Sequence, residues 1–193
     1  MGRVGMTKLE KKIFAEFGFY SDLSDNDKLL FESAVDAREK AQAPYSHYKV
    51  GAAVLVRHER SGKIFSGCNV ERCTWTQTTH AEQNAIDTMI ACLGPRNILK
   101  ICVVGAPESK DTYLQTRRAE MVPSIENTPV PCGHCLQIIW ENCAGNPNVE
   151  ILSFVNDGIV SRTTIGDALP MRFGPKDLGV EYTLEKWLGF NYK

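Results

Sequence analysis

The chain concentrates its chemistry in two short stretches: Pro131-Cys132-Gly133-His134-Cys135, and His80-Ala81-Glu82 some fifty residues earlier. Cysteines at i and i+3 put both sulfurs on one face of an opening helical turn, where free N–H groups stabilise thiolates. Such a pair suits thiol–disulfide exchange, or it supplies half of a tetrahedral zinc site. A thiol–disulfide oxidoreductase would carry its Cys-x-x-Cys after an early strand with most of the fold to follow, yet only 58 residues follow Cys135. A closed structural zinc site needs a fourth ligand, and Cys143 or His134 is the nearest in sequence. Neither reading uses His80-Ala81-Glu82. Taken together, one imidazole, two thiols and one carboxylate favour a metal with an open position beside a proton-moving acid. Zn2+ with two thiolates and a neutral imidazole is uncharged overall, so Gln83 after Glu82 need not be a cation.

These residues need elements that bring them together. Residues 25–43 show apolar positions at helical spacing, with Ser24 or Asp25 as cap, and end before Pro44. Residues 50–56 and 63–68 read as a hairpin turning at Ser61-Gly62. Residues 79–93 predict a helix capped by Thr78 or Thr79 and closed by Gly94-Pro95. Residues 98–106 form a β-branched run suited to a strand buried on both faces. Residues 132–142 predict a second buried helix opened by Pro131, and residues 149–155 and 159–163 two more strands around Asn156-Asp157-Gly158. This order predicts one α/β domain over 1–193, a mixed sheet of about five strands between helical layers. His80 and Glu82, at i and i+2, can share one site only at a helix start, because inside a helix they diverge. Residues 1–20 read as an N-terminal extension, and polar residues 107–130 as an insertion longer than common loops.

Composition narrows the class. The chain has 193 residues, 43% hydrophobic and 23% charged, as in a soluble globular domain. A formal net charge of -1 argues against a polynucleotide partner or an anionic membrane surface. There is no apolar run of transmembrane length and no secretory h-region, and seven unpatterned cysteines predict reduced thiols in the cytoplasm. Either Met1 or Met6 can start the chain.

With those residues assembled, the chain resembles the cytidine deaminase family. "APYSHYKVGAAV" is similar to the family's first-strand motif and "GCNVE" to its ribose-binding segment. "HAEQNAI" and "PCGHCLQ" resemble its two zinc motifs in the histidine-containing form, and "TIGDALPMRFGPKDLGV" its C-terminal motif. The resemblance implies a three-layer α/β/α sandwich and zinc-dependent hydrolysis of cytidine and deoxycytidine to uridine and deoxyuridine, releasing ammonia in pyrimidine salvage. It implies Zn2+ on His80, Cys132 and Cys135, with Glu82 moving protons. Asn69 and Glu71 would bond the ribose hydroxyls, and Tyr48 and Phe173 would pack on the pyrimidine, with Phe173 reaching in from a neighbouring subunit. The Ala81 and Cys135 N–H groups would face the reacting carbon. Tyr48 suits core packing equally well. A homotetramer is expected over a dimer.

Some positions depart from the family pattern. Leu136 stands where Arg is usual, Tyr48 where Phe is commoner, Trp75 where Tyr is commoner, and Arg72-Cys73 replaces a small polar pair. These departures, with the insertion at 107–130, leave room for a modified pyrimidine nucleoside or an aminopyrimidine antibiotic as substrate.

Overall fold

A computed structural model describes residues 7–58, 61–95, 97–107, 125, 128–156 and 158–179. Among these, six strands form one sheet in the order β1-β6-β5-β4-β2-β3. The strands are β1 (Ala15–Phe19), β2 (Tyr48–His58), β3 (Ser61–Cys68), β4 (Ile98–Pro107), β5 (Glu150–Asn156) and β6 (Ile159–Thr164). Only β4 and β5 run parallel; every other pairing is antiparallel. A parallel neighbour requires a crossover, and the helix α3 (Gly133–Glu141) lies in that connection. The remaining helices are α1 (Asp25–Glu39), α2 (Ala81–Leu93) and the short α4 (Ile165–Ala168).

Strand periodicity sorts the core into two layers. Ala52, Val54 and Val56 of β2 face one way, onto Ala85, Ile86 and Met89 of α2 and Ile139 of α3. Ala53 faces the other way, as do Cys102 and Val104 of β4, onto Leu30, Phe31 and Ala34 of α1. The result is the expected sandwich, with α1 on one face and α2 and α3 on the other. Each fully buried Leu or Ile contributes about 1.5–3 kcal/mol, so the two layers dominate the stability.

Four boundaries differ from the sequence expectation, each for a local reason. The sheet has a sixth strand: β1 pairs with β6 inside the segment read as an extension, and covers what would otherwise be an open edge. Helix α1 starts where expected, with Ser24 Oγ accepting the Asp27 N–H at 3.2 Å. It stops at Glu39 because Gln42 is drawn into pairing with Asn69 and Glu71 (Gln42 N to Asn69 O 3.1 Å, Glu71 N to Gln42 O 2.8 Å). Tertiary pairing overrides helix propensity there. Ser61 and Gly62 belong to β3, paired with His58 and Arg57 of β2, rather than to a turn. Helix α2 is capped by neither Thr78 nor Thr79. The Thr78 hydroxyl accepts the Arg72 N–H at 3.1 Å, while Thr79 bonds Val70 through both backbone groups, leaving His80 at the N-cap. Most of the 107–130 insertion also lies outside the described residues.

Candidate active site

Two helix N-termini converge on one point. His80 is the N-cap of α2 and Cys132 the N-cap of α3. His80 Nδ1 lies 3.5 Å from Cys132 Sγ and 3.3 Å from Cys135 Sγ. All three ligand atoms fall within 4.8 Å of one another. Tetrahedral zinc, with bonds near 2.05 Å to nitrogen and 2.3 Å to sulfur, would separate such atoms by about 3.6 Å. The donor set therefore fits zinc in both chemistry and spacing. Among the described residues no fourth His, Cys, Asp or Glu joins the group. Cys143, a candidate to close the site, instead donates its S–H to Trp140 O at 3.1 Å. That leaves a three-ligand, open centre.

The local backbone explains how i and i+2 residues serve one site. His80 is extended (φ -78, ψ 153), so its ring leaves the chain before the helix begins, whereas Glu82 sits in the first turn. Glu82 is 5% exposed and near enough for its charge to act on the Cys135 thiol. Burial, then the Glu82 charge, then Cys132 push the Cys135 thiol far above the usual thiol range. Without a cation the pocket holds that thiol protonated; a divalent cation with free helix N–H groups around it reverses the preference.

The segment 69–71 is stitched to the metal-site segment. Val70 N donates to Thr79 O at 2.9 Å, and Thr79 N to Val70 O at 3.0 Å, one residue before His80. Asn69 pins the start of β2: its Oδ1 accepts the Val50 N–H and its Nδ2 donates to Tyr48 O, both at 2.9 Å. Glu71 is 4% exposed, and its Oε2 accepts the Tyr45 N–H at 2.9 Å and the Ser46 N–H at 3.1 Å. Its Oε1 accepts a short hydrogen bond from the Ser46 hydroxyl. Burial alone would raise the Glu71 pKa, but these donors more than offset it and hold the carboxyl below its usual range.

The aromatics sit at the rim. Tyr48 is exposed and lies over Gly105 of β4, where a Cβ would come within 2.9 Å of Tyr48 Cε1. Trp75 holds a left-handed backbone (φ 54), and its ring packs on Tyr45 with centroids 5.6 Å apart. Phe173 is 58% exposed although its backbone is fastened: Gln137 Nε2 donates to Phe173 O at 3.0 Å, and Arg172 lies 4.1 Å over the Trp140 ring. Leu136, at the position expected for Arg, is buried in the core beneath α2 and α3. His134 points outward, its ring centroid 5.5 Å from that of His80.

The sequence model described as "Cytidine and deoxycytidylate deaminase zinc-binding region" matches residues 24–149, which contain all three ligands and Glu82. The chain belongs to this deaminase family. A cytidine deaminase from Sporosarcina psychrophila is 34% identical over 155 residues, spanning 80% of this chain and 95% of that protein. One from Halalkalibacterium halodurans is 30% identical over 151 residues, 78% and 96% of the two chains. The crystal structure of cytidine deaminase from Burkholderia pseudomallei superimposes with a TM-score of 0.57 at 34% identity, covering 78% of this chain and all of that one. Membership in a zinc-binding deaminase family accounts for a donor set that combines His, Cys and Cys with a buried, non-ligating Glu.

Ser46, Asn84 and Gly67 escaped the sequence reading. Asn84 Nδ2 donates to Cys68 O at 2.6 Å, and Gly67 lets α2 approach so closely that a Cβ there would lie 2.4 Å from Ala85 N. A glycine inside a predicted strand is the one local signal that could have flagged this approach.

Proposed function

We propose that this protein hydrolyses the 4-amino group of cytidine and deoxycytidine, giving uridine or deoxyuridine and ammonia. The observation that carries the reading is the meeting of His80, Cys132 and Cys135 beside buried Glu82, with the segment carrying Asn69 and Glu71 bonded one residue away. In this reading His80, Cys132 and Cys135 hold zinc, which when bound supplies Lewis acidity that brings hydroxide within reach near neutral pH. Glu82 takes one proton from the attacking water and delivers it to N3 as the oxygen bonds to C4. It then moves the second proton from that oxygen to the amine, which leaves as ammonia when the C4–N bond breaks. Buried beside the ligands, Glu82 is shielded from bulk water and held for this exchange. The N–H groups of Ala81 and Cys135, in the first turns of α2 and α3, have no earlier helical carbonyl to bond and can donate to the reacting centre. Asn69 and Glu71 read the sugar hydroxyls, so bare cytosine forgoes those hydrogen bonds and is disfavoured. Tyr48 and Phe173 flank the pyrimidine.

An exposed Phe173 on an anchored backbone supports a homotetramer in which that ring enters a neighbouring site. Mixing Glu82→Gln with Phe173→Ala subunits should then restore activity that neither variant shows alone, and failure to complement would sink the shared site. Seven free thiols, with Cys73 and Cys92 exposed, support a reducing, cytoplasmic setting. No helix among the described residues is long and apolar enough to cross a membrane. The deciding experiment measures ammonia released from cytidine, deoxycytidine, cytosine, cytidine monophosphate and adenosine. The two nucleosides should dominate. Absence of ammonia from every cytosine compound, with zinc bound stoichiometrically, would overturn the function.

A further inference from the structure

We propose that Ser46 is a positioning residue that aims the Glu71 carboxylate at the sugar and thereby sets the preference for hydroxylated over deoxygenated sugars. The inference rests on the reading of Glu71 as a sugar contact. Both backbone donors to Glu71, Tyr45 N–H and Ser46 N–H, bond the same oxygen, Oε2. Two bonds to one oxygen leave the carboxylate free to swing about it. The Ser46 hydroxyl bonds the other oxygen, Oε1, and so fixes the plane of the group. A carboxylate offers about four acceptor positions; three are used here, and the one left over is on Oε1. That is the position a sugar hydroxyl would take, and the Ser46 hydroxyl decides where it points.

The same hydroxyl oxygen accepts the Tyr48 N–H at 3.1 Å. Tyr48 O in turn accepts from Asn69 Nδ2. One serine thus joins Glu71, Tyr48 and Asn69 into a single hydrogen-bonded frame. Its loss would leave the two backbone bonds intact, so Glu71 would stay in place but lose its aim.

The test compares zinc-loaded wild type, Ser46→Ala, Ser46→Thr and Glu71→Gln on cytidine and on 2′,3′-dideoxycytidine, which lacks the hydroxyls being read. Ser46→Ala should raise KM for cytidine about tenfold, as expected for losing the order of a hydrogen bond to a charged group. Its kcat for cytidine and its KM for the dideoxy compound should stay within twofold of wild type. The dissociation constant for uridine, measured by calorimetry, should rise with the KM. Ser46→Thr, which keeps the hydroxyl, should restore the preference. If Ser46→Ala does not fold, Ser46→Gly replaces it, because it also keeps the backbone N–H. Equal losses on both substrates, or no loss on either, overturn the proposal. Glu71→Gln separates this from failure of the underlying reading. If it too affects both substrates equally, Glu71 does not read the sugar. If it affects only cytidine while the Ser46 variant is unselective, only the role of Ser46 falls.

Discussion

Glu82 has one feature that its neighbours lack: a carboxylate buried to 5% exposure beside three metal-ligand atoms without joining them. A group so placed is suited to carrying protons rather than holding metal. Glu82→Gln keeps the shape and the hydrogen-bonding atoms but cannot accept the proton. We expect it to bind one zinc per subunit, by elemental analysis, while kcat falls at least about a hundredfold. Near-normal turnover would remove Glu82 from the chemistry. The ligand set itself was readable in the sequence because Cys-x-x-Cys and His-x-Glu are short patterns with few chemical solutions. Ser46 was not readable. Its hydroxyl matters only because Glu71, 25 residues away, folds against it, and no local pattern encodes that distance.

At the scale of the elements, the site depends on how closely α2 can lie on β3. Gly67 has no Cβ, so the backbone at Asn84 and Ala85 comes to rest against the strand. Asn84 Nδ2 then locks the first turn to Cys68 O. Gly67→Ala forces the helix start outward, with His80 and Glu82 upon it. We expect a loss of about 1–3 kcal/mol or more, read from urea unfolding, together with reduced zinc retention and kcat. Unchanged zinc affinity in a destabilised variant would mean that the helix start moves independently of its ligand. The helices, the hairpin and the buried strand β4 were legible because their apolar periods are long and regular. The misplaced boundaries were not. Thr78 and Thr79 look like caps but are taken by Arg72 and Val70, and residues 40–43 look helical but Gln42 among them pairs with segment 69–71. Strand β1 was overlooked because five residues with two half-buried positions carry too weak an alternation to stand out from a tail.

The whole molecule carries a charge network on the α1 side of the sheet, far in sequence from the ligands. Asp27, 3% exposed, pairs with Lys100 Nζ at 2.6 Å and Arg162 Nη2 at 3.1 Å, and Lys100 also meets Glu150 at 2.9 Å. Burial would raise the Asp27 pKa, but Lys100, Ser24 and Arg162 outweigh it and hold it below its usual value. A carboxyl depressed on folding contributes stability above its unfolded pKa, about 3.9, and loses it as pH falls through the folded value. Lys100, also desolvated, is raised by Asp27 and Glu150. Its contribution is complete below about pH 10.4 and fades above that. Urea midpoints should therefore drop on the acid side below about pH 4 and on the alkaline side above about pH 10. Asp27→Asn should be less stable at neutral pH yet show a flatter acid limb; an acid limb as steep as wild type would place the sensitivity elsewhere. The metal centre adds a dependence of another kind. Its ligands come from two helix starts, with His80 and Cys132 separated by 52 positions, so bound zinc closes a ring of chain that includes β4. Such a ring exists only in the folded protein, and folding free energy then grows with the logarithm of free zinc. The melting temperature of this protein is thus a gauge of the zinc around it, independent of any substrate.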